Sequence, residues 1–76
     1  MGSFFRDYKI DPDDPGEFVS SEEVRDVEFT GGWDDSGGQI HKAEDGRRLK
    51  WLVRVGGGYR AYAEKKNARN FLRQPL

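Results

Sequence analysis

Residues Asp45 to Arg73 read DGRRLKWLVRVGGGYRAYAEKKNARNFLR, and their pattern decides the fold. Leu49, Trp51, Val53 and Val55 alternate with Arg48, Lys50, Leu52 and Arg54, the two-residue period of a strand with one apolar face. Gly56-Gly57-Gly58 turns the chain, because glycine takes positive φ without a steric cost. Tyr59-Arg60-Ala61-Tyr62-Ala63 returns it as a second strand. From Glu64 the period changes. Ala68, Phe71 and Leu72 fall at helical spacing, with Lys65, Lys66, Arg69 and Arg73 on the wet side and Pro75 as a stop. A helix this short depends on packing against the sheet.

Upstream, Asp45-Gly46 is the two-residue hairpin signal, and Gln39 to Glu44 alternates ahead of it. A three-stranded meander over residues 39–63 follows from these signals. Ser20 with Glu23 has the spacing of a capping box, and Val19 can staple to Val24. One helical turn then gives way to a strand through Val27 and Phe29. Phe4 to Ile10 reads as a further strand. The expected fold is therefore α+β: a small antiparallel sheet of four or five strands, ending in a C-terminal three-stranded meander, with a C-terminal helix packed on one face. The expected core is Phe29, Ile40, Leu49, Trp51, Val53, Val55, Phe71 and Leu72.

Seventy-six residues make a single domain, 1–76, and without cysteine its core must hold it unaided. Its net charge of −1 hides a division. Thirteen carboxylates stand against four cations up to residue 45, and nine cations against Glu64 beyond it. Residues 1–38 thus form an acidic, loop-rich half and residues 39–73 a basic β-β-β-α unit. No apolar run approaches the roughly 18 residues that cross a bilayer, and no secretory leader is visible, so the expectation is a cytoplasmic protein with no membrane contact.

Catalytic chemistry finds little to stand on. His41 is the lone histidine, no serine lies in a nucleophile elbow, and Gly56-Gly57-Gly58 lacks the Lys-Ser/Thr of a phosphate loop. Asp11, Asp13, Gly16 and Glu22 fall at calcium-loop positions, but Pro15 occupies a ligand position, so an ordinary acidic turn is expected. The expectation is a non-enzymatic protein with no metal, no cofactor and no small-molecule substrate.

The surface offers two binding readings. In the first, Arg48, Lys50 and Arg54 on the central strand, Arg60 and Tyr62 on the returning strand, and Lys65, Lys66 and Arg69 on the helix form a basic platform for nucleic acid. The run from Asp45 to Gln74 resembles the arm-type DNA-binding domain of tyrosine-recombinase integrases, through a strand with a central Trp51, a glycine turn, an arginine-bearing return strand and a helix carrying Ala68, Phe71 and Leu72. That resemblance implies three strands and a packing helix, with the sheet laid in the major groove and Arg48, Lys50, Arg54, Arg60 and Tyr62 as contacts.

In the second reading the acidic half is the working surface. Asp13, Asp14, Glu22, Glu23, Asp34 and Asp35 would steer a basic, nucleic-acid-handling protein, with Trp33 as the exposed anchor. In style such a chain is similar to the phage-encoded inhibitors of anti-CRISPR and anti-restriction type.

Overall fold

The computed structural model describes residues 11–31 and 39–73. Among the described residues five strands make one antiparallel sheet: β1 (Glu17–Ser20), β2 (Phe29–Gly31), β3 (Ile40–Ala43), β4 (Trp51–Val55) and β5 (Gly58–Tyr62). Helix α1 (Lys65–Arg73) follows and packs against the sheet. The strands lie in the order β1-β5-β4-β3-β2. The fold is α+β, and the meander and helix stand where their two periodicities put them. The expected strand at Phe4 to Ile10, Trp33 with its glycine-bracketed loop, and the stop at Pro75 lie outside the described residues.

Register assigns each side chain to a face. Trp51 stands between Lys42 and Tyr62, and Val53 between Ile40 and Arg60. These share the face that α1 covers, where Ile40, Val53, Tyr62 and Ala68 form a buried cluster edged by Trp51, Phe71 and Leu72. Leu52 stands between His41 and Ala61 on the far face, with Arg54 opposite Tyr59. That face holds a second cluster of Val19, Val24, Ala43, Leu52 and Ala61. Alternation in β4 assigns Leu52 to a wet face, yet it is 0% exposed. Full burial of such a side chain is worth about 1.5–3 kcal/mol, so both faces carry core.

What fills the far face is dictated by connectivity. Among the described strands β1 and β2 are the two outermost, so residues 21–28 must cross four inter-strand spacings, about 19 Å. Eight residues reach about 28 Å when extended, enough for the crossing. Val24 and Val27 of this crossing pack into the far-face cluster. Its entry is fixed by the capping box read from the sequence. The Ser20 N–H donates to Glu23 Oε1 at 2.9 Å and the Glu23 N–H to Ser20 Oγ at 3.3 Å, ahead of a 3-10 turn, Glu22–Val24. Val19 and Val24 meet in the same cluster, as the staple requires.

Three expectations need correction. β1 is an additional strand that the sequence pattern does not announce, since four residues after a Pro/Gly loop carry little periodicity and their partner, β5, lies some forty residues away. The strand through Val27 is shorter than expected, because Val27 belongs to the crossing and β2 begins at Phe29. Asp45-Gly46 does not make a two-residue hairpin. The ladder closes where the Ala43 N–H donates to the Lys50 carbonyl at 2.8 Å, leaving residues 44–49 as the loop. Asp45 instead accepts from Arg47, whose Nη2 lies 2.8 Å from Oδ2. This longer loop turns Leu49 toward the far-face cluster, away from Trp51.

The β1–β5 contact is close. Gly58 faces Ser20, and a Cβ on Gly58 would run into the Val19 carbonyl and the Ser20 Cα. Strand β1 leaves Phe18 54% exposed beside this glycine.

Candidate nucleic-acid interface

Helical geometry sorts the cations of α1. At 100° per residue, Lys65, Arg69 and Arg73 follow one another along one flank, with Lys66 beside them. Ala68, Phe71 and Leu72 occupy the side that meets the sheet. The flank carries four formal positive charges over about 12 Å of helix.

The sheet adds to this row. Trp51 is half-buried at the start of β4, and two ammonium groups approach its ring: Lys42 Nζ at 5.8 Å from the centroid and Lys65 Nζ at 5.7 Å. Lys42 is the cross-strand neighbour of Trp51, and Lys65 arrives from the first turn of the helix. Both ammonium groups are drawn to the indole by the attraction of cations to its π face.

The remaining residues of the expected basic platform are dispersed. Arg54 is exposed on the far face, its guanidinium 5.7 Å from the Tyr59 ring. Arg48 is exposed in the 44–49 loop and Lys50 half-buried at its end. Arg60 lies on the face of α1, opposite Arg54, and serves a structural purpose. Its Nε donates to the Tyr62 hydroxyl at 3.2 Å, its Nη2 to the Pro15 carbonyl at 3.1 Å, and its guanidinium lies 5.7 Å from the Phe71 ring. Tyr62 is 4% exposed, and burial raises its hydroxyl pKa against the lowering effect of Arg60. Lys65, Lys66 and Arg69 are thus brought together, whereas Arg48, Lys50, Arg54, Arg60 and Tyr62 are not.

The acidic set divides as well. Asp14 is 5% exposed and its carboxylate is fully engaged. It accepts from the Ala63 N–H at 2.9 Å, the Glu64 N–H at 3.0 Å and the Asn67 side-chain amide at 2.8 Å. Burial alone would raise its pKa, but these donors and the charge of Arg48 outweigh it and hold the carboxyl below its ordinary value. Asp13 and Glu22 are exposed, and Glu23 is held by the capping box. Trp33, Asp34 and Asp35 lie outside the described residues. Glu17, on the far face, and the turn with Glu22 and Glu23 place carboxylates on the side remote from the α1 flank.

Asp11, first in the calcium-like run, accepts from the Asp13 N–H at 2.9 Å and makes a local turn. Among the described residues no group of three or more His, Cys, Asp or Glu side chains is placed to hold a metal. His41 stacks on Phe29, with ring centroids 5.9 Å apart.

The sequence does not single out Lys42 or Trp51 as site residues. Their pairing is readable only from register, because a six-residue loop separates Lys42's strand from that of Trp51 and hides which residues face each other. No protein-family model, curated protein or solved structure matches this chain.

Proposed function

We propose that this protein is a non-enzymatic nucleic-acid-binding module that works through the flank of α1 together with Lys42 and Trp51. The observation that carries the reading is the convergence of Lys65, Lys66, Arg69 and Arg73 on one side of the helix, next to an aromatic ring. Cations in a row neutralise successive phosphates and release condensed counterions, which gives affinity without base chemistry. The integrase-like resemblance implies docking through the open sheet face. Here Val24 and Val27 fill that face, so the contact surface moves to the helix side.

Anisotropy titrations of labelled oligonucleotides at two salt concentrations test this. Lys66→Ala and Arg73→Ala, both at exposed positions, are expected to weaken binding and to flatten its salt dependence by about 0.7–0.9 in log–log slope for each phosphate left without its cation. Arg54→Ala, on the far face, should leave the affinity unchanged. Absence of binding even at low salt would overturn the proposal.

A second reading rests on the separation of charge. The exposed carboxylates of Glu17 and Glu22 lie across the sheet from the α1 flank and suit the basic cleft of a protein partner, as an inhibitor of nucleic-acid machinery of anti-CRISPR or anti-restriction type would need. Glu17→Gln with Glu22→Gln would then abolish capture of that partner while Lys66→Ala would not.

A further inference from the structure

We infer that the nucleic acid taken by the α1 flank is single-stranded, with a base stacking on Trp51 and its neighbouring phosphates held by Lys42 and Lys65. This inference rests on the nucleic-acid-binding reading. Trp51 is half-buried rather than sealed into the core, and it stands at the margin of the helix-covered cluster rather than at its centre. In the folded protein the ring lies within about 6 Å of two ammonium groups from different elements, one strand and one helix. Such a pair sets two cations beside one aromatic ring. A duplex keeps the faces of its bases stacked inside and offers an indole nothing to lie on. A single strand presents each base as a free π face, flanked by the phosphates that the ammonium groups seek.

Beyond α1 the helix-side face continues across β3 and β2, two strands about 5 Å apart. Thr30 and Lys42 face each other there, and the Thr30 hydroxyl donates to the Glu44 carboxylate. The cations of α1 and Lys42 of β3 thus lie on one side of the sheet, with Trp51 where they meet.

The test uses the full chain carrying Trp33→Phe, so that Trp51 is the tryptophan that reports. It is titrated at low salt with oligothymidylate, oligouridylate and a duplex of equal length. Quenching of Trp51 emission and tighter binding of either single strand than of the duplex are expected. Trp51→Leu, which keeps apolar volume without a π face, should weaken single-strand binding about ten-fold or more and leave duplex binding unchanged, with helical circular dichroism retained. Lys42→Gln, which leaves the core untouched, should weaken single-strand binding too. Equal binding of single strand and duplex with unchanged Trp51 emission would overturn this inference and leave the binding reading standing. Failure of all three probes to bind would overturn both.

Discussion

The side-chain amide of Asn67 donates to the carboxylate of Asp14 at 2.8 Å, across 53 residues of chain. Both groups are buried, and the same carboxylate takes the backbone N–H groups of Ala63 and Glu64 where α1 begins. A residue of the acidic half thus caps the helix of the basic half. The two halves divided by charge are thus joined at the start of α1, the helix that carries the proposed interface.

Removing that carboxylate should be costly. Asp14→Ala leaves buried N–H groups without an acceptor, at about 1–3 kcal/mol, and loosens the start of α1. Thermal unfolding is the measurement. A fall in Tm on the order of 5–20 °C is expected, whereas Asp13→Ala, at an exposed position, should change it little.

The same hydrogen-bonded carboxylate gives stability a pH dependence of known sign. The folded-state pKa of Asp14 lies below its unfolded value, so its contribution is fully present above the unfolded carboxyl pKa of about 3.9 and is lost as pH falls through the lower folded value. Denaturant midpoints of the wild type should drop as pH falls below about 4. Asp14→Asn should flatten that part of the profile, and an unaltered profile would show that the carboxylate is not held as an anion.

Gly58 sets how closely β1 approaches β5. Gly58→Ala should push β1 outward, because the added carbon meets backbone rather than a movable side chain. Hydrogen exchange at the paired residues Phe18, Val19 and Ser20 should quicken, while α1 and β4 keep their protection.

Arg54 and Arg60 should behave differently despite being two strand arginines on neighbouring strands. Arg60→Ala removes hydrogen bonds to Tyr62 and Pro15 and the cation–ring attraction to Phe71, and should cost about 1–2 kcal/mol of stability. Arg54→Ala removes an exposed packing partner of Tyr59 and should stay within about 0.5 kcal/mol. Urea unfolding of the two variants checks both figures.

Much of this fold is written in local periodicity. The two-residue alternation around Trp51, the glycine turn and the change to helical spacing at Glu64 each depend on neighbours within a few residues, so the meander and α1 are legible. The Ser20–Glu23 capping box is local in the same sense. What local pattern cannot carry is the partner of each face. Leu52 and Arg54 share a face in an alternating strand, and nothing near them says that Val24 and Val27 will cross the sheet to cover Leu52. Likewise Asp14 reads as one more aspartate in a turn until β5 brings Ala63 and Glu64 beside it. The sequence by itself determined the elements and the charge of each half. Only the tertiary structure decided which cations gather on one surface, because that depends on register and on a crossing between the two outermost described strands, both made by residues far apart in the chain.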